Sequence, residues 1–172
     1  PNARGFDEMF IHGAGGIGQS YAGSCGDAPG NTYFDPAILH NGKFVKTTGY
    51  CTDLFFAQAM KWIGEVKGKQ PFYAHIATNT PHAPLDCPPE YERRYADKVK
   101  PNEAKFFGMI ANIDDNFGRL LGKLREWNLA NTAMGTLKYG QTSMDISDEQ
   151  DPALAEDRAR YERLTERERD VL

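Results

Sequence analysis

The sequence predicts an α/β chain: an incomplete sheet with flanking helices, followed by a charged helical tail. Three observations carry this reading. Asn41-Gly42 sits between two short β-forming arms, the signature of a tight hairpin. Two stretches, from about Cys51 to Val66 and from Glu103 to Trp127, repeat apolar residues at helical spacing. Between them PFYAHIA, residues 71–77, is aromatic and almost continuously apolar, as a buried strand is.

Taken in order, Phe6 to Ile11 alternates loosely and ends in HGAGGIGQ, so a short strand runs into a glycine-rich loop. Residues 20–31 (SYAGSCGDAPGN) are saturated with turn formers and should be irregular. The hairpin follows, with Ala37–Leu39 and Lys43–Thr47 as its arms. In the first helix Thr52 or Asp53 serves as N-cap, and Leu54, Phe55, Ala59, Trp62, Ile63 and Val66 form one apolar face. After the PFYAHIA strand comes TNTPHAPLDCPP, a proline-rich loop at a strand end, where open α/β sheets place their chemistry. Glu90–Val99 should be a short helix. The long helix then buries Phe106, Met109, Ile110, Ile113, Phe117, Leu120, Leu121 and Leu124. Beyond Leu129 a further buried strand is expected, but AMGTLKYGQTSM offers no apolar run, so residues 133–149 read as an irregular junction. Residues 150–172 read as helix: Pro152 suits a first turn, and Thr165-Glu-Arg-Glu168 is a capping box.

Composition narrows the function. With 172 residues, 40% hydrophobic and 12% aromatic, the chain can bury a core and is not disordered throughout. A net charge of −4 argues against a bulk electrostatic nucleic-acid surface, and no run of 18 apolar residues exists to span a membrane. The tail, residues 133–172, holds 6 Lys/Arg against 10 Asp/Glu, leaving 14 of each in residues 1–132. The tail therefore carries the whole imbalance. The opening residues lack the basic and apolar regions of a signal peptide, and both ends fall inside elements, so the chain is expected to be an internal piece. Cys25, Cys51 and Cys87 lack CxxC spacing and argue against a zinc site, while one disulfide pair stays open. Neither Cys51 nor Cys87 has a basic neighbour to favour a thiolate, so both read as structural.

Gly13-Ala-Gly15-Gly-Ile-Gly18 satisfies G-x-G-x-x-G, with Asp35 downstream as a candidate ribose acid. No helix can start at Gly18 to face a pyrophosphate, so the stretch reads as a loop. Asp114-Asp115-Asn116 resembles a metal cluster, but adjacent carboxylates on a helix point about 100° apart. His75 lies inside the predicted strand and reads as a core residue; His40 reads as surface, and His12 stays open. His82 is the best functional candidate. Pro81 and Pro84 restrict its loop, and a histidine at a strand end can protonate a leaving group near neutral pH.

GFDEMFIHGAGGIGQSY, NTYFDPAILHNGKFVKTTGYCTDLFFAQAMKWI, PFYAHIATNTPHAPLDCPPEY and AKFFGMIANIDDNFGRLLGKLREWNL, in that order, resemble the central part of bacterial arylsulfatases. Those are members of the alkaline-phosphatase-like superfamily. The resemblance covers residues 5–132 and implies a partial alkaline-phosphatase-like sandwich. It also implies hydrolysis of sulfate esters, in which a formylglycine hydrate attacks sulfur and calcium, held by Asp and Asn side chains, polarises the sulfate oxygens. His82 falls on the family histidine that contacts the sulfate ester and helps the leaving oxygen accept a proton. Asn79 and Thr80, in the same segment, are the accompanying candidates for substrate binding. A periplasmic or extracellular location is implied as well.

Departures from the family pattern are large. Cys25, Cys51 and Cys87 are followed by GDAPG, TDLFF and PPEYE, so none begins the nucleophile motif C-x-P-S/A-R. The Asp-Asp and Asp-Asn-Gly calcium segments and the downstream lysine segment have no counterpart. The chain is therefore expected to bind no calcium and to be inactive alone. Arg158 to Leu172 resembles the linker and first helix of LuxR-type response-regulator DNA-binding domains, without a recognition helix, so no nucleic-acid partner is expected. This division (1–132 sulfatase-like, 133–149 junction, 150–172 tail) is the one a fusion or a frame-shifted reading frame would give. Two other functions stand beside it: a phosphate or phosphonate ester hydrolase of the same superfamily, and a regulatory fusion with a truncated output domain. Oligomeric state is not legible, and the incomplete sheet is expected to favour aggregation.

Overall fold

A computed structural model describes residues 1–12, 17, 28, 30–129, 135–139 and 142–146. The chain divides into two units, Pro1–Leu120 and Leu121–Leu172. In the first, β1 (Phe10–Ile11), β2 (Ala37–His40) and β3 (Lys43–Lys46) form a small antiparallel sheet in that order. The turn is the expected one. Asn41 and Gly42 have φ of 46° and 85°, both in the left-handed region that a two-residue hairpin needs and that glycine and asparagine tolerate. The register pairs Ala37 with Lys46 and His40 with Lys43. β1 joins through Phe10 opposite His40 and Ile11 opposite Leu39.

Helix α1 (Cys51–Val66) runs over the span its periodicity predicts. Its cap differs. Tyr50 is the N-cap and makes no side-chain capping bond; Thr52 and Asp53 lie in the first turn, where tertiary partners claim both side chains. Asp53 still complements the positive end of the helix dipole. Phe56, absent from the predicted face, is buried with Phe55 and Ile63. Helix α2 is only Pro89–Glu92, followed by turns over residues 93–98, so it is shorter than the helix expected over Glu90–Val99. Helix α3 (Pro101–Glu126) begins with a proline and has Glu103 Oε2 accepting from the Lys100 amide at 3.0 Å.

The buried stripe of α3 departs from the expected one. Ala104, Gly108, Met109, Asn112, Asn116 and Leu120 are buried, whereas Phe106, Ile110, Ile113 and Phe117 are only half-buried. The reason is polar. Asn112 and Asn116, each at most 1% exposed, turn inward because Asp53 on α1 accepts from both, at 3.0 and 2.6 Å. Gly108 lets α3 approach α2 closely, since a Cβ there would meet Cys87 Sγ and the backbone of Glu92.

A second correction concerns residues 71–77. They form no strand with any described residue; instead residues 71–78 alternate between exposed and half-buried, the period of extended chain. With no neighbouring strand to cover them, Tyr73 is 70% exposed and His75 is exposed rather than in the core. The core gathers instead around Tyr33, Ile38, Tyr50, Cys51, Cys87, Tyr91 and Met109.

In the second unit, where an irregular junction was expected, β4 (Gly135–Tyr139) pairs antiparallel with β5 (Thr142–Ile146). Spaced β-forming residues suffice for such a ladder without a continuous apolar run. The expected helical tail, residues 150–172, lies outside the described residues, as do Cys25 and the glycines of the G-x-G-x-x-G stretch.

Candidate active-site loop

The loop carrying His82 is held from the protein side at several points. α1 begins directly beneath it. Thr52 Oγ1 lies 3.0 Å from Thr80 Oγ1, and the Cys51 thiol donates to Asn79 Oδ1 at 3.4 Å; all four residues are buried. Thr78 Oγ1 donates to the Thr80 carbonyl at 3.0 Å, and the His82 amide closes a turn onto the Asn79 carbonyl at 3.1 Å. From the segment before β2, the Tyr33 hydroxyl donates to the carbonyls of His82 at 2.9 Å and Ala83 at 3.3 Å. The Tyr50 hydroxyl donates to the Asp86 carbonyl at 2.8 Å. Two peptide bonds in the loop, Thr80-Pro81 and Ala83-Pro84, are cis.

His82 itself is exposed, and its Nδ1 lies 2.7 Å from the Ala83 carbonyl. Because that oxygen only accepts, Nδ1 carries the proton of the neutral ring. The structure thus places the three candidate residues differently. His82 reaches the protein surface, while the side chains of Asn79 and Thr80 point into the packing against α1, at 6% and 5% exposure. Asn79 Nδ2 is buried with no hydrogen-bond partner of ordinary geometry among the described residues.

Burial sets the electrostatics around the loop. It pushes the Cys51 thiol up to about 11, with hydrogen bonds to Thr52 and Asn79 offsetting only part of the shift. It raises Cys87 to about 11 as well, helped by the charges of Glu92 and Asp86. Both thiols are therefore protonated packing groups, and Cys51 and Cys87 are not joined to each other. Tyr33 and Tyr50 are raised chiefly by burial, so both hydroxyls stay donors.

The remaining histidines and acids serve elsewhere. His40 is half-buried, with Nε2 2.7 Å from Glu8 Oε1, and that carboxylate also accepts from Asn41 at 2.7 Å and Gln58 at 2.8 Å. Burial alone would raise Glu8, but these donors outweigh it and hold the carboxyl below its usual range. His12 packs its ring 6.0 Å from Phe55. Asp35, with φ of 49°, accepts from the Gly49 amide at 2.7 Å and shapes a turn. Asp115 pairs with Arg94 at 2.9 Å, Asp114 is exposed, and Asn116 turns inward, so the three diverge as helical geometry dictates. Among the described residues no three His, Cys, Asp or Glu side chains converge on a point that could hold a metal ion. The calcium implied by the resemblance therefore does not fit the side chains described.

Sequence reasoning missed the Asp53, Asn112, Asn116 and Arg119 network behind α1. Arg119 Nη1 donates to Asn116 Oδ1 at 3.0 Å and lies 3.7 Å from Asp53. The available signal was two asparagines four apart, on the same stripe as Ala104 and Gly108.

Comparison with known proteins accounts for most of the chain. The family model described as Sulfatase matches residues 2–134. Arylsulfatase J of Mus musculus is 22% identical over 135 residues, which cover 78% of this chain and 22% of that protein. The crystal structure of Ps i-CgsB in complex with k-i-k-neocarrahexaose aligns with a TM-score of 0.62 and 26% identity, over 76% of this chain and 31% of that one. The putative sulfatase yidJ from Bacteroides fragilis shares the fold at a TM-score of 0.56 and 20% identity, over 60% of this chain and 28% of its own. This chain spans about a fifth of the mouse relative and under a third of the solved chains. A family match over residues 2–134, on a partial α/β fold shared with solved sulfatases, leads to one conclusion: the chain belongs to the sulfatase family.

Proposed function

We propose that this chain is a segment of a sulfuric ester hydrolase in which His82 contacts the sulfate ester and protonates the leaving oxygen. The observation that carries the reading is the anchoring of the His82 loop. The Ala83 carbonyl holds Nδ1–H, and Tyr33 fixes the backbone on either side of the peptide bond. Cleavage of the S–O bond leaves charge on the departing alkoxide or phenoxide, and a proton on Nε2 neutralises it as it forms. Asn79 and Thr80 belong to the same substrate-binding segment, and their buried side chains act by placing His82. The nucleophile and the calcium ligands belong to other segments of the complete enzyme, so this chain alone is inactive. Its substrate is a sulfate ester, met in a periplasmic or extracellular setting; no helix among the described residues is long and apolar enough to cross a membrane.

Titrating sulfate and phosphate separately into the full chain, with the imidazole signals followed by NMR, tests the assignment. Sulfate should shift His82 while leaving His75 and His40 unmoved, and His82→Ala should abolish the response. An unresponsive His82 overturns the role, and a response to phosphate alone supports a phosphate or phosphonate ester hydrolase instead. Calcium-dependent release of p-nitrophenol from its sulfate ester by the purified chain would overturn the inactivity.

A further inference from the structure

Asn41 is followed by Gly42, and none of the other asparagines in the sequence precedes a glycine. Both residues are exposed at the hairpin tip, and nothing lies within 4 Å of where a Cβ on Gly42 would stand. The Gly42 amide takes part in no backbone hydrogen bond among the described residues. A nitrogen so open to its neighbour can be acylated by the asparagine side chain, because glycine has no Cβ to shield it. Yet the Asn41 side chain is tied at both ends. Its Oδ1 accepts from the Met9 amide at 2.9 Å, and its Nδ2 donates to Glu8 Oε2 at 2.7 Å. We propose that Asn41 is a site of spontaneous deamidation, and that its ties to Glu8 and Met9 set how fast it is converted.

The chemistry needs only water. The Gly42 nitrogen loses its proton to solvent and attacks Asn41 Cγ. The new C–N bond closes a succinimide ring, the Cγ–Nδ2 bond breaks, and Nδ2 takes up a proton and leaves as ammonia. Water then opens the ring at one of its two carbonyls, giving aspartate or isoaspartate. To reach the nitrogen, Cγ must swing away from residues 8 and 9, so both side-chain ties must break first. Neither anchor is loose. Glu8 Oε1 lies 2.7 Å from His40 Nε2 and accepts from Gln58 at 2.8 Å, and the Asn41 amide donates to the Met9 carbonyl at 2.9 Å. Conversion therefore draws on the fraction of molecules in which this contact has opened locally. Isoaspartate routes the main chain through the former side chain, which adds a methylene to a two-residue turn and removes the Nδ2 donor. The change is one-way, and it does not rest on the role of His82.

The test incubates the full chain in mildly alkaline buffer enriched in heavy-oxygen water. Trypsin releases Asn41 in the peptide that ends at Lys43. Mass spectrometry and labelling by protein isoaspartyl methyltransferase then follow the acid and the isoaspartate at this position. Conversion should be slower in the folded chain than in urea. Glu8→Ala, which removes the acceptor of Nδ2, should speed it about threefold to tenfold. Glu8→Gln keeps a carbonyl acceptor and should stay near the wild-type rate, and circular dichroism at 222 nm shows that both variants remain folded. In aged wild-type protein the Met9 amide should exchange faster in step with isoaspartate. Absence of conversion at Asn41 in both the folded chain and Glu8→Ala would overturn the proposal. Equal rates in folded wild type, Glu8→Ala and urea would overturn the control by Glu8 and Met9, as would Glu8→Gln matching Glu8→Ala.

Discussion

Replacing Gly108 with alanine should destabilise the first unit, although alanine is the better helix former. A Cβ at this position would lie 2.6 Å from Cys87 Sγ, 3.1 Å from Glu92 N and 3.2 Å from the Tyr91 carbonyl carbon. Ordinary non-bonded separations are about 3.5–4.0 Å, so the sulfur must retreat by about 1 Å. Overpacking of this kind costs about 1–3 kcal/mol, while the helix propensity gained is about 1 kcal/mol. The net effect is a loss of up to about 2 kcal/mol. Gly118, on the same helix, has nothing within 4 Å of its Cβ position, so Gly118→Ala should gain the propensity of about 1 kcal/mol undiminished. Urea unfolding of both variants, followed at 222 nm, measures the difference. Adding Cys87→Ala removes the closest contact and should make Gly108→Ala less costly, by about 1 kcal/mol in a double-mutant cycle. Gly108→Ala matching or exceeding Gly118→Ala in stability would refute the reasoning, because the α2–α3 approach would then not be as close as described.

Three further outcomes follow from the same geometry. Glu8 has a folded pKa below its ordinary value of 4.5, so its contribution to stability is present above that value and is lost as pH falls through the folded pKa; Glu8→Gln should flatten the acid limb of a stability–pH curve. Thr52→Val should cost about 1–3 kcal/mol, because it leaves the buried Thr80 hydroxyl without its partner, and Thr52→Val with Thr80→Val should recover part of the loss in chemical denaturation. Cys51 and Cys87, buried with thiols near 11, should react slowly with iodoacetamide at pH 8 until urea unfolds the chain; rapid labelling of the folded protein would contradict their burial.

Local patterns were the legible part of this sequence. The Asn41-Gly42 turn and the limits of α1 follow from backbone preference and a 3.6-residue repeat, which need no knowledge of the rest of the fold. Tertiary partners decided the rest. Residues 71–77 were read as buried because their composition is apolar, but burial requires neighbours on both sides, and no described strand supplies them. The α3 stripe was read from its large apolar residues, whereas the Asp53 carboxylate pulls Asn112 and Asn116 to the inside. His82 was legible through its prolines and its family resemblance, yet the clamps formed by Tyr33 and Tyr50 were not. Those hydroxyls reach carbonyls 49 and 36 residues away, and no local pattern encodes such a pairing.

Asn41 joins two jobs that a turn residue ordinarily keeps apart. Its backbone makes the bend between β2 and β3, while its side chain accepts from the Met9 amide at 2.9 Å and donates to Glu8 Oε2 at 2.7 Å. The hairpin tip therefore also works as a latch for the strand that precedes it by some thirty residues. An aspartate would bend the chain equally well, but would set one carboxylate against another and unfasten β1 while leaving the hairpin whole. Interchangeability at this position, assumed from turn statistics, ends at the side chain's second partner.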